Sequence, residues 1–517
     1  MAARLVPDSS CLIGIDVGTQ SVRAIAFDTS GRKIAGAARP TPIERTPSGG
    51  EHDPDLIFAT VVDVLAEVGG ALAGRPVAGM AVASFGESAV LVDAGGKAVC
   101  RSIAWFDRRT EAEGRGLGEA VEPARLFAIT GHAVDPTFTL LKLAWMNRQW
   151  PEAAARAKTV LMMADWIAFR LCGEAATDAT LAARTLYFDL HRRRWSDELF
   201  ARAGLAGARP APLRPSGTAL GAVRTDILAA TGIAGRPVVG VGGHDHLVGS
   251  FAAGLAAPGD TLDSLGTAEA LLLITAAPLA DPEILRQGYL QGAIATDRQM
   301  SYLTAGIFSS GGAVEWLRGL LDRPSHAELI AEAEAVPVGS DGVVFLPHLG
   351  NAPPPTPDPD ARGVFAGLAA GTSRGALFRA VLEGLAMQAR LMIDGMIRLA
   401  GGEATGEIKV IGGGSRNRLF LTIKANAFAR PLRVIDEPEA TALGAALLGG
   451  LAAGLWPSLA AALGDLDRRE HIVEPESELV ERYADLRVGV FERLQPAFAP
   501  VNRDLARIAV TRRTRRS

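Results

Sequence analysis

The chain has 517 residues but only three cysteines, Cys11, Cys100 and Cys172. Their odd number and wide spacing argue against a disulfide framework or a zinc site and fit a reducing, cytoplasmic compartment. Charge of one sign is missing too: 53 Lys and Arg against 57 Asp and Glu leave a net charge of −4, which gives no reason to expect nucleic acid as a partner. The arginines near the end, Arg512, Arg513, Arg515 and Arg516, read as a solvated tail. The opening M-A-A-R-L-V-P-D-S-S has no apolar core of an export signal. One uncharged run, Ala440 to Gly464, has the length of a membrane span, but Ala and Gly dominate it and Trp456-Pro457-Ser458 breaks it. It predicts a buried helix, a turn and a second helix, with no membrane contact. There is no G-x-x-x-x-G-K-[ST] and no well-placed G-x-G-x-x-G, so neither a P-loop nor a dinucleotide fold is supported.

A repeated pattern is present instead. L-I-G-I-D-V-G-T-Q-S-V-R-A-I-A-F-D runs from Leu12 to Asp28, and T-L-D-S-L-G-T-A-E-A-L-L-L-I from Thr261 to Ile274. In each, an apolar strand ends at a Gly-Thr pair and a second apolar strand leaves. The turn exposes backbone N–H groups and a hydroxyl that can hold a phosphate. Only the first copy carries an acid, Asp16, placed to hold Mg²⁺ beside phosphates; the second has Ser264 there and keeps Gly266 and Thr267.

The elements around each copy follow one order: a strand meander, a helix, further strands, and a strand that opens onto glycines. This predicts an α/β chain of two duplicated lobes with a cleft between them. The expected divisions are 1–256, 257–455 and a helical extension over 456–517, with A-A-P-G-D at Ala256 to Asp260 as the boundary.

The second acid of interest is Asp245, in V-V-G-V-G-G-H-D-H-L-V-G. An Asp that starts a helix after a strand and glycines is held ionised by free N–H groups, and a weak base suffices for the loose transition state of phosphoryl transfer. The plain alternative is an N-cap. His244 and His246 supply at most two ligands, so a hydrogen bond from His246 to substrate is the better reading than a metal site. In A-S-F-G-E-S-A-V-L-V-D and I-A-W-F-D-R-R-T, Glu87 can accept hydroxyls, Trp105 offers a flat face to a sugar, and Asp107 and Arg108 add hydrogen bonds. Each of these four could equally be a capped turn, a core ring or a surface ion pair.

Taken in order, I-G-I-D-V-G-T, W-F-D-R-R-T, G-G-H-D-H, D-S-L-G-T, A-R-G-V-F-A-G-L, R-A-V-L-E-G, I-G-G-G-S-R-N and E-A-T-A-L-G-A-A resemble the FGGY family of carbohydrate kinases, of the superfamily that includes actin and heat-shock ATPases. The resemblance implies ribonuclease-H-like lobes with ATP between them. Gly18, Thr19, Gln20 and Arg23 would lie near the transferred phosphate, Gly266 and Thr267 on the second loop, and Gly413, Gly414 and Asn417 against the adenosine. Asp16 and Asp245 would serve Mg²⁺, Asp245 would be the base, and Glu87 and Trp105 match acceptor-contacting positions of the glycerol kinase branch.

Departures bear on the substrate. The xylulose kinase branch has a Met-His pair where this chain has Phe85-Gly86-Glu87, and glycerol kinases have Arg where Gly86 stands, a loss expected to leave room for a longer substrate. The A-A-R-T-L-Y-F-D run at Ala182 to Asp189 leans to the glycerol side. Thr422 and Asn426 replace the usual Gln and Asp, and N-A-P-P-P-T-P replaces E-R-[ST]-P. The expected activity is ATP-dependent phosphorylation of a small ketose, xylulose- or fuculose-like, ahead of glycerol or a tetritol such as erythritol. A non-transferring ATPase and a sugar-responsive regulator are the readings from other classes, and a homodimer is left open.

Overall fold

The computed structural model describes residues 10–294, 300–402, 404 and 406–514. The first nine residues, Arg515 and Arg516, and the side chains of Arg512 and Arg513, on which two of the expectations bear, lie outside them.

Three antiparallel strands open the fold: β1 (Cys11–Val17), β2 (Ser21–Phe27) and β3 (Lys33–Pro40). Helix α1 (Pro54–Ala71) starts at Asp53, whose carboxylate accepts from the N–H groups of Asp55 at 2.9 Å and Leu56 at 3.3 Å, with Pro54 at the first helical position. Strand β4 (Val77–Ser84) then runs parallel to β1. Helices α2 (Thr139–Gln149) and α3 (Met163–Cys172) precede β5 (Ala219–Ala222) and β6 (Val238–His244), and β6 leads directly into α4 (Asp245–Ala252). The sheet order is β5-β6-β4-β1-β2-β3. Strand β1 is buried along its whole length, as a central strand covered on both faces must be.

Asp260 accepts from the N–H groups of Ala256 and Ala257, both at 2.9 Å, and past this connection the order repeats. Strands β7 (Thr261–Leu265), β8 (Glu269–Thr275), β9 (Leu290–Ala293) and β10 (Ser301–Ile307) are followed by helices α5 (Ser310–Leu320) and α6 (Arg374–Leu399). Then come β11 (Ile408–Ile411), α7 (Arg418–Phe428) and β12 (Leu432–Ile435). With the edge strand β13 (Glu470–Val473) the order is β9-β10-β8-β7-β11-β12-β13. Both sheets set two parallel strands, β4 and β6 or β11 and β12, beside an antiparallel meander, so the expected duplication is present.

Helices α8 (Ala440–Ala452) and α9 (Leu459–Gly464) make up the uncharged run, divided by a turn as the sequence predicts. Among the described residues no helix is long and apolar enough to cross a membrane. The composition of α8 has a packing cause. It crosses back onto β1, β4 and β6 of the first sheet, where a Cβ on Gly14 would lie 1.7 Å from the Ala442 carbonyl oxygen and one on Gly79 2.1 Å from that of Gly449. The expected division at 455 follows chain order, but in space this helix belongs to the first lobe.

Under the second Gly-Thr turn the core contains a charged cluster. Lys424 Nζ donates to Asp263 Oδ2 at 2.8 Å and Glu269 Oε1 at 2.6 Å, all three side chains being fully buried. Burial and the neighbouring Glu269 push the Asp263 carboxyl up, against the pull of Lys424. The last helices, α10 (Ser477–Leu486) and α11 (Glu492–Thr514), are tied to this lobe where Tyr483 donates to Glu383 at 3.0 Å.

Candidate active site

The β1–β2 hairpin places Asp16 opposite Arg23 in register, and Arg23 Nη2 donates to Asp16 Oδ2 at 2.7 Å while Nη1 reaches Glu439 at 3.0 Å. The Gly18 N–H closes the turn on the Ser21 carbonyl at 3.0 Å, and the Thr41 hydroxyl donates to the Gly18 carbonyl at 2.6 Å. Gln20 is exposed and is held through its carbonyl, which accepts from the Thr41 N–H at 3.0 Å. Asp16 is buried. Burial pushes its carboxyl up to about 7, Arg23 opposing and the nearby Asp245 charge adding to the rise.

Asp245 is the first residue of α4. Its Oδ1 accepts from the His246 N–H at 2.6 Å and lies 3.5 Å from His244 Nδ1. The end of β6 is fixed from the side, the His244 N–H donating to Thr180 Oγ1 at 2.8 Å, and Thr180 in turn to Asp178. His246 Nε2 is inaccessible to water and has no partner among the described residues. Burial and the adjoining His244 hold the His246 imidazole down at about 4, so it is neutral and can bond to a hydroxyl. Among the described residues no group of three or more His, Cys, Asp or Glu is arranged to hold a metal ion. Asp16 and Asp245 are hard oxygen donors, and a cation beside Asp16 would relieve the cost of its buried charge. This suits Mg²⁺, which takes one or two carboxylates and completes its shell with phosphates and water.

Glu87 has the left-handed φ of 58°, and its carboxylate accepts from Arg184 Nε at 2.6 Å. Arg184 explains Gly86. A Cβ at residue 86 would meet His244 Cδ2 at 2.8 Å and Arg184 Cγ at 3.3 Å, so a larger residue here would have to displace these side chains. Lys142, fully buried on α2, donates to the Trp105 carbonyl at 2.9 Å and the Glu87 carbonyl at 3.4 Å and so locks both segments together. Burial lowers its ammonium to about 7 despite Glu87 and Asp107. Trp105 keeps 36% of its surface exposed and donates from Nε1 to the Thr19 hydroxyl.

Two expected acceptor contacts are corrected. Asp107 is fully buried and its oxygens accept from Arg109, from the Gly50 N–H at 2.8 Å and from Thr46 and Ser48. Burial alone would raise it, but these bonds outweigh burial and hold its carboxyl at about 2. It organises the 46–50 loop and has no oxygen left for a substrate. Arg108 turns outward to Glu111 at 3.2 Å.

Gly266, Thr267, Gly413, Gly414 and Asn417 come together around a cavity of ≈ 700 Å³. Leu382, Leu385 and Phe420 give it apolar walls suited to a base, and Asn417 also caps α7 by accepting from the Phe420 N–H at 3.1 Å. Gly413 and Arg416 also line a second cleft of ≈ 250 Å³ that reaches Asp16, Arg23 and Thr441, so the two hollows adjoin and lead to Asp16. Thr422 and Asn426 do not line the cavity; Asn426 accepts from the Glu476 N–H at 2.7 Å and anchors the C-terminal helices. A larger hollow of ≈ 860 Å³ by Cys100, Trp150 and Arg156 contains none of these residues. The residues that sequence reasoning missed are Arg184, Lys142 and Arg416; only Arg184 had a signal, in the A-A-R-T run.

Two duplicated lobes and a glycine-lined cavity that adjoins a cleft reaching Asp16 define a two-lobed phosphotransferase of the actin-like ATPase type. The chain belongs to the FGGY family of carbohydrate kinases: the model of the family's N-terminal domain matches residues 11–252 and that of its C-terminal domain residues 263–453. It is 34% identical to a glycerol kinase of Aromatoleum aromaticum over 87% of this chain and 91% of that protein. It is 30% identical to an L-fuculokinase of Salmonella typhi, over 90% of this chain and 98% of that one. A xylulose kinase of Rhodospirillum rubrum has the same fold, with a TM-score of 0.86 and 28% identity, covering 95% of this chain and all of that one. The chain is therefore a kinase that phosphorylates a hydroxyl group at the expense of ATP.

Proposed function

We propose that the chain transfers the γ-phosphate of ATP to a primary hydroxyl of a small ketose, xylulose- or fuculose-like. The observation that carries this reading is that the cleft continuing from the glycine-lined cavity reaches Asp16, whose carboxyl feels the charge of Asp245, the residue next to His246. The acceptor oxygen bonds to the γ-phosphorus, the bond from phosphorus to the β–γ bridging oxygen breaks, ADP leaves, and Asp245 takes the hydroxyl proton. Asp16 and Asp245 would hold Mg²⁺, which when bound would neutralise charge on the phosphates. Arg23 keeps Asp16 in place, the Gly18 and Gly266 turns present N–H groups to phosphate, and the Trp105 face covers the C–H side of the sugar. Neutral His246 and the Glu87–Arg184 pair offer both donors and acceptors to the remaining hydroxyls.

A polyol acceptor, glycerol or a tetritol, is the second reading, favoured by the contact of Arg184, from the A-A-R-T run, with Glu87. One experiment separates the two: ADP release by the purified protein with Mg-ATP across a panel of ketoses and polyols. A ketose should give the highest kcat/KM, and Asp245→Ala should abolish turnover while the fold persists. No turnover on any member, or full activity of Asp245→Ala, would sink the assignment.

A further inference from the structure

Beneath the second Gly-Thr turn, one buried ammonium ties together the elements that wall the glycine-lined cavity. Lys424 Nζ on α7 donates to Asp263 Oδ2 on β7 at 2.8 Å and to Glu269 Oε1 on β8 at 2.6 Å, so it grips both legs of the hairpin that carries Gly266 and Thr267. Glu269 passes the tie on: its Oε2 accepts from the Ser310 hydroxyl at 2.8 Å, and Ser310 is the first residue of α5. One turn before Lys424 on α7, the centroid of the Phe420 ring lies 5.0 Å from the ammonium nitrogen. Thr267, Ser310 and Phe420 all line the cavity.

The contacts above the cluster leave little play. A Cβ on Gly311 would lie 2.6 Å from the Gly266 carbonyl oxygen, and the Gly312 N–H donates to the Thr267 carbonyl at 3.1 Å. A shift of Ser310 therefore shifts the turn, and with it the N–H groups offered to phosphate.

The first lobe shows that such a hairpin folds without charge. There Val17 pairs with Val22 as Leu265 pairs with Glu269 here, and Ile15 stands before its Gly-Thr pair where Asp263 stands before the second. Ile15 and Val22 are fully buried in an apolar core. A buried ion cluster gives little net stability over apolar residues of like volume, so three charges in place of such residues point to a need for one fixed arrangement of the parts they join.

We propose that Lys424 is a positioning residue for the nucleotide, which through Asp263, Glu269 and Ser310 fixes the Gly266–Thr267 turn against the start of α5 before ATP enters. The proposal rests on the reading that this cavity holds the nucleotide. Walls set in advance spare the cost of ordering them on binding, so their loss falls on nucleotide affinity and leaves the acceptor groups of the first lobe alone.

The test uses the full chain and a non-hydrolysable ATP analogue. Ser310→Ala cuts the link at the cavity wall and should raise the analogue Kd about ten-fold, the order of one hydrogen bond to a charged group, with the acceptor KM unchanged at saturating ATP. The triple variant Lys424→Met, Asp263→Asn, Glu269→Gln leaves no charge unpaired and separates positioning from stability. Its denaturant midpoint should recover relative to Lys424→Met while its analogue Kd stays raised by a like factor. A parent-like Kd in Ser310→Ala, or a Kd that recovers together with stability in the triple variant, overturns the proposal; if the triple variant does not fold, Ser310→Ala decides. Gly413→Trp tests the cavity itself, since a Cβ there meets no atom within 4 Å and the indole can enter the hollow. It should abolish analogue binding. Undiminished binding in Gly413→Trp places the nucleotide elsewhere and overturns both readings, whereas loss there with parent-like binding in Ser310→Ala overturns the positioning role alone.

Discussion

The indole Nε1 of Trp105 donates to the Thr19 hydroxyl across 2.9 Å, which ties the ring expected to cover the acceptor to the turn expected to hold its incoming phosphate. Phenylalanine at 105 would preserve a flat apolar face and lose the tie. Trp105→Phe should lower kcat roughly five- to ten-fold, the worth of about 1 kcal/mol, with a smaller change in acceptor KM. Steady-state kinetics with the acceptor varied at saturating ATP measures both, and a pure KM effect would count against the tie.

Asp16 carries a carboxyl raised to about 7, which means that its ionisation opposes folding. The native group holds its proton longer than the unfolded one, so the stability it gives is fully present below about 4 and is lost as pH rises to about 7. Asp16→Asn should therefore flatten this part of the stability profile and melt higher than the parent at pH 8, while losing most of its activity. Thermal melts of both proteins from pH 4 to 8 give the answer; parallel profiles would remove Asp16 as the source.

His246, held at about 4, stays neutral over the range in which kinase assays are run. The sign is opposite to that of Asp16: its contribution to stability is present above about 6.5 and is lost as pH falls toward 4. Proton NMR of the imidazole should show no titration between pH 5.5 and 8, and His246→Gln should leave the shape of the kcat–pH profile unchanged there. A His246 resonance moving near pH 6.5 would contradict this.

Lys424 neutralises two carboxylates in a dry core. Lys424→Met should cost about 3–5 kcal/mol, because both acids remain behind without their cation. The combination with Asp263→Asn and Glu269→Gln should recover much of it. Denaturant unfolding of the single and triple variants would show whether the cluster is worth more as a set than in part.

What the sequence made legible was local. The Gly-Thr turns, the strands before them and Asp16 and Asp245 at strand ends follow from patterns spanning a few residues, and of these Asp16 and the second Gly-Thr pair line the adjoining hollows. What it hid was decided by partners far along the chain. Arg184 meets Glu87 across 97 positions, so nothing near Gly86 could announce the side chains packed against it. Asp107 looked available because Gly50 and Thr46, which use it up, lie 57 and 61 residues away. The placement of α8 on the wrong side of its own half was hidden for the same reason, although its Ala and Gly content was plain.

That placement governs how the chain can be divided. A fragment ending near residue 256 would keep the first sheet and α4 but lack the helix that lies over Gly14 and Gly79, leaving a bare strip of glycine backbone and apolar side chains. Such a half should be insoluble when produced alone and rescued by a peptide spanning Ala440–Ala452 supplied separately. The first sheet is thus finished by a helix from the other half of the chain, and a gene cut at the evident boundary yields one piece that cannot stand without the other.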